Sequence, residues 1–109
     1  MPSALTKDQL QRLRRRLEDE RARILRVLQT PAPGSSRDQE TEFEEAAQRE
    51  TERSVELDVE RRERALLAEV EHALAKLAAG RYGASEKTGA PIPYERLAAV
   101  PWAREAVDE

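Results

Sequence analysis

Cysteine is missing from the 109 residues, which excludes disulfides and thiolate metal sites. Aromatic side chains are scarce as well: one Phe, one Trp and two Tyr. The chain therefore has few platforms on which nucleic-acid bases could stack. Its net charge of −3 also lacks the basic excess that a phosphate backbone selects. Direct DNA binding is not expected. No apolar run approaches the roughly 20 residues of a membrane span, and there is no signal-peptide pattern. The cytoplasm is the expected location, with no membrane partner. A glycine-rich phosphate loop is absent, and the one histidine, His72, has no nucleophile placed to work with it. The expectation is that the chain is not an enzyme and that His72 is a helix-surface residue.

What is present is charge and helix-forming side chains. Charged residues make up 38% of the chain and hydrophobic ones 39%. That is too little apolar surface for an ordinary rounded core. It leaves either a disordered chain or an elongated helical one with a narrow apolar seam. The abundance of Ala, Leu, Glu and Arg favours the helical form. The charges are also segregated: residues 7–26 are rich in arginine, with the run Arg14-Arg15-Arg16, and residues 38–71 are acidic. Such a division suits pairing of the two segments with each other, or docking into a basic site.

Thr6-Lys7-Asp8-Gln9 spells a capping box, in which residues three apart satisfy each other's free amides. Leu10, Leu13, Leu17, Ile24 and Leu28 then form one helical stripe, which Pro31, Pro33 and Gly34 stop. A second helical pattern has no breaker before Gly80. Its stripe is Val55, Val59, Arg62, Leu66, Val70, Ala73 and Leu77, and Gly80 fits a C-terminal cap. Upstream of Val55 the stripe fades. Walking back from Gly80 by the length of the first helix reaches about Ser54, so two arms of matched length can lie antiparallel. Two chains could pair in the same way, but the proline-rich break favours pairing within one chain, and a monomer is expected. The resulting expectation is an all-α fold: a two-helix coiled-coil hairpin over residues 1–80. Its arms run about 6–29 and 50–79, and its tip about 31–49.

Residues 81–109 differ in kind. Gly83, Gly89, Pro91, Pro93 and Pro101 set turns, and 94–99 can form a short helix. Tyr82, Ile92, Tyr94, Leu97, Val100 and Trp102 are the candidate anchors, with Trp102 read as a core residue. The framework Gly80-x-Tyr82-Gly83, then Gly89-x-Pro91-Ile92-Pro93, then Arg96-Leu97-x-Ala99-x-Pro101-x-Ala103 resembles the C-terminal module of the DksA/TraR family. A helical hairpin precedes the module in that family too, so the resemblance covers essentially the whole chain. Family members of this kind carry four cysteines that bind zinc. Here Ser85 and Thr88 stand at the first pair of positions and Ala106 and Glu109 at the second. The expectation is thus a degenerate, zinc-finger-like knob without metal, held by apolar contacts instead.

The resemblance also implies a function. It identifies the chain as a regulator whose hairpin enters the secondary channel of bacterial RNA polymerase, with acidic tip residues approaching the active centre. The family pattern of two aspartates three apart, with alanine two residues on, falls on Glu42, Glu45 and Ala47. A shift by one residue would place it on Thr41 and Glu44. Relatives sense guanosine tetraphosphate through basic residues on the second arm. Arg61, Arg62 and Arg64 are the available contacts to polymerase or nucleotide, but Ala65, Ala68 and Glu69 follow them, and direct binding of the nucleotide is not expected. The alternative is a non-catalytic interaction module that kept the fold and lost regulation of polymerase.

Overall fold

The computed structural model describes residues 5–29 and 43–107 and, in the second stretch, side chains from residue 48 onward. Two helices, α1 (Lys7–Gln29) and α2 (Phe43–Ala79), run antiparallel, and a short α3 (Tyr94–Ala99) sits at their base. The molecule is a rod of 63 × 25 × 20 Å. Its radius of gyration of 19.1 Å far exceeds the roughly 13 Å of a compact chain of this length.

Local chemistry sets the helix ends. At the start of α1 the Gln9 amide donates to Thr6 Oγ1 (3.1 Å) and the Thr6 amide donates to Gln9 Oε1 (3.0 Å). Each residue thereby satisfies a donor that the first helical turn leaves free. At the other end of α2, Gly80 has φ +75°. There the Arg81 amide donates to the Lys76 carbonyl and the Gly80 amide to the Leu77 carbonyl. This pair of bonds, with a left-handed residue after the last turn, is the Schellman closure that glycine makes without strain.

The seam is narrow. Leu13, Leu17 and Ile24 of α1 meet Val70 and Ala73 of α2, all buried. Leu10, Leu28, Leu66, Leu74 and Leu77 flank them. Ion pairs fix the register on either side, Arg23 to Glu63 at 2.9 Å and Arg21 to Glu71 at 3.1 Å. Arg23 also holds Glu20 of its own helix. Flanked by two carboxylates, its guanidinium is held still more firmly in the charged form.

Beyond Gly80 the chain forms the knob. The Ser85 amide donates to the Ala90 carbonyl and the Ile92 amide to the Gly83 carbonyl. An isolated antiparallel bridge joins Ala84 to Pro91. Tyr82, Ile92, Leu97 and Ala103 are buried and continuous with the hairpin seam, and Trp102 packs partly buried against them. The Tyr82 hydroxyl donates to the Pro101 carbonyl at 2.7 Å. Burial raises the Tyr82 phenol well above the usual tyrosine range, against a smaller opposing influence of Arg16. Arg16 itself reaches across from α1 to donate to the Ala98 carbonyl of α3. The rod and the knob thus share one core.

Candidate functional site

Among the described residues, the end of the rod remote from the knob is built by α2. Arg23 faces Glu63, so the end of α1 at Gln29 lies level with about residue 57 of an antiparallel partner. The turns of α2 back to Phe43 extend beyond it by roughly 20 Å at 1.5 Å per residue. Residues 48–55 are exposed on every face. Over residues 43–60 there are seven carboxylates against two arginines. A helix that is wet all round draws its stability from propensity and side-chain pairs rather than from packing. This segment has no glycine, no proline and many Glu, Arg and Ala residues.

Val55 and Val59, which continue the apolar stripe in sequence, do not join the core. They are 56% and 39% exposed, and Leu57 on the opposite face is 46% exposed. Val55 lies beyond the level of Gln29, where α1 ends, and Val59 lies opposite only the last turn of α1, so neither is fully covered. Of the tip residues, Glu44, Glu45 and Ala47 lie in the first turns of α2, while Glu42 lies outside the described residues.

The arginines of the second arm are separated by their partners. Arg61 pairs with Asp58 at 3.2 Å and Arg64 with Glu60 at 2.6 Å, both one turn away on the same helix. Arg62 is exposed and makes no ion pair among the described residues. Glu63, between them in sequence, turns instead toward Arg23 of α1.

At the base, the described residues among those that the resemblance places at zinc-ligand positions hold groups that do not fit a metal. Ser85 is buried at 4% exposure, and its hydroxyl oxygen accepts the amides of Lys87 (3.0 Å) and Thr88 (3.2 Å). The Thr88 hydroxyl accepts the Ala90 amide at 3.2 Å. Ala106 offers no donor atom, and Glu109 lies outside the described residues. Neutral hydroxyls already engaged with backbone amides are poor zinc ligands. Among the described residues no group of three or more His, Cys, Asp or Glu side chains could hold a metal ion.

The same region contains a charged cluster that sequence reasoning missed. Glu86, in the turn after Ser85, accepts from His72 Nε2 at 2.5 Å and Lys76 Nζ at 3.0 Å. Its other oxygen faces Arg104 at 3.3 Å. Arg104 in turn makes a two-pronged contact with Glu69, at 2.9 and 3.1 Å. The hydrogen bond from His72, followed by that from Lys76, pulls the Glu86 carboxyl down to about 2. Glu69 is lowered and Arg104 raised by their shared hydrogen bonds. The signal was half visible in the sequence, because Glu69, His72 and Lys76 share one helix face at i, i+3 and i+7. Their partners lie up to 35 residues away, beyond any local pattern.

No family model matches the chain. It is 37% identical to General stress protein 16O of Bacillus subtilis, over 96% of this chain and 68% of that protein. It is 40% identical to the RNA polymerase-binding transcription factor DksA of Caulobacter vibrioides, a match over 57% of this chain and only 44% of that protein. Among solved structures it resembles the transcription factor DksA2 of Pseudomonas aeruginosa. The TM-score is 0.66 at 30% identity, covering 94% of this chain and 80% of that one.

Proposed function

The chain belongs to the DksA-like family, and from that membership we propose that it is a non-catalytic transcription regulator that binds bacterial RNA polymerase. The acid-rich stretch of α2 that runs beyond the level of Gln29, exposed over residues 48–55, carries this reading. A single helix is only about 10–12 Å across with its side chains, thin enough to enter a channel that admits nucleotides. Inserted into the polymerase secondary channel, it would bring Glu42, Glu44 and Glu45 toward the catalytic magnesium. Carboxylates there compete for coordination or disturb nearby mobile elements without doing chemistry themselves. Arg62, with no ion-pair partner among the described residues, would meet the channel rim. Arg61 and Arg64 are engaged by Asp58 and Glu60, which supports the reading that guanosine tetraphosphate is not bound directly.

The test is a competition binding assay with purified bacterial RNA polymerase, combined with in vitro transcription. The chain should bind at micromolar concentrations or better. The triple substitution Glu42→Ala, Glu44→Ala and Glu45→Ala should keep binding and abolish the effect on transcription. Absence of binding overturns the proposal.

A second reading rests on Val55, Leu57 and Val59, apolar side chains left in solvent on the same arm, which suit a protein-interaction module without polymerase regulation. It is favoured if the triple substitution leaves transcription unaltered while Val55→Asp abolishes partner binding.

A further inference from the structure

We infer that the cluster of Glu69, His72, Lys76, Glu86 and Arg104 takes over the clamping role of the missing metal, closing the base with a lock that yields to salt and ignores chelators. In the metal-binding pattern, ligands at positions 85 and 88 are joined to ligands at 106 and 109, so the ion staples the first turn of the knob to the C-terminal segment. Here the same two segments are stapled one or two residues away from those positions. Glu86 follows Ser85, Arg104 precedes Ala106 by two, and their side chains meet at 3.3 Å. Their backbones meet as well, since the Glu86 amide donates to the Arg104 carbonyl at 2.8 Å.

The cluster then does what a four-ligand ion in the knob would not: it ties both segments to α2. Glu69 takes Arg104 by both oxygens, while His72 and Lys76 take Glu86. Three stretches of chain, 69–76, 85–90 and 100–104, thereby converge on one network of ion pairs and hydrogen bonds. Tyr82, Ile92, Leu97 and Ala103 of the knob belong to the single core it shares with α1 and α2, so the charges are a separate line of attachment.

The response to salt follows from exposure. Glu86 is 33% exposed, and Glu69 and Arg104 are about 40%. Charges so placed are screened as the Debye length shrinks from about 20–30 Å near 0.02 M salt to about 3 Å at 1 M. A metal–thiolate site has no such dependence and is opened by chelators.

Amide hydrogen exchange of the full chain tests this. The amides of Ser85, Glu86, Gly89 and Ile92 all donate within the knob and report its local opening. Between about 0.02 M and 1 M sodium chloride their protection should fall about tenfold, while the α1 amides of Leu13 and Leu17 keep theirs. Glu86→Gln and Arg104→Ala should show the reduced protection already at low salt, with little further response. A chelator or added zinc should change nothing. If Arg104→Ala does not fold, Glu86→Gln and the salt series on the unaltered chain decide alone. Knob protection that is indifferent to salt and to Glu86→Gln overturns the inference, as does protection that zinc raises or a chelator lowers.

Discussion

Replacing Tyr82 by phenylalanine removes one oxygen atom and leaves the ring in place, which isolates a single buried hydrogen bond. The side chain is 3% exposed, and its hydroxyl is 2.7 Å from the carbonyl of Pro101, itself buried. No cavity larger than the oxygen is created. The cost is the net worth of the bond, about 1 kcal/mol, plus the penalty of leaving the Pro101 carbonyl without a donor. Together these amount to about 1–3 kcal/mol. For a chain of about 100 residues each kcal/mol moves the melting temperature by roughly 4–8 °C, so a drop of at least about 5 °C is expected. It should be followed both by far-ultraviolet circular dichroism, which reports the rod, and by Trp102 fluorescence, which reports the knob. Because the two share one core, the transitions should coincide. Alkaline pH supplies a second check. The Tyr82 phenol is raised in the folded state, so its contribution is complete below its ordinary value of 10.0 and is lost as the pH climbs above that. The gap between the two proteins should therefore narrow above pH 10, while titrations common to both cancel. A melting point within about 2 °C of the parent, or separate transitions for rod and knob, would refute the assignment of this bond as the link between Tyr82 and the Pro101 turn.

Other substitutions probe the remaining joints. Leu17→Ala removes a fully buried seam residue and should cost about 2–5 kcal/mol, read as a lower urea midpoint. Gly80→Ala meets no atom within 4 Å, yet it forces a side chain onto a left-handed backbone. A loss of about 1–2 kcal/mol is expected, with Gly80→Asn milder. Acid should act through Glu86. Its carboxyl is lowered from 4.5 to about 2, so its stabilisation is whole above 4.5 and drains away as the pH falls toward 2. With a third of the side chain in solvent the effect is about 1 kcal/mol, and melting curves of Glu86→Gln should converge with the parent's in that window.

Much of the rod is legible from local rules. The Leu10 to Leu28 stripe, the box at Thr6 and Gln9 and the stop at Gly80 each follow from chemistry within a turn or two of the residue concerned. Val55 and Val59 show where that kind of reading ends. Their spacing is the same as that of Leu66 and Val70, and nothing in the periodicity of α2 records that α1 stops at Gln29. The face they present is decided by the other helix. Glu86 and Arg104 are a stronger case. In sequence they are two charges in a turn-rich tail, and only the docking of that tail on α2 makes them neighbours of Glu69, His72 and Lys76. At Ser85, residue type alone is visible in the sequence; that its hydroxyl accepts the amides of Lys87 and Thr88 is not.

The unbroken run of α2 from Phe43 to Ala79 makes the molecule a lever. From the grip around His72 to Phe43 the helix is about 45 Å long, so a tilt of only about 5° at the grip swings the far end by roughly 4 Å. Whatever loosens the grip at one extremity is thus magnified at the other, and small changes of attachment translate into the aim of the point.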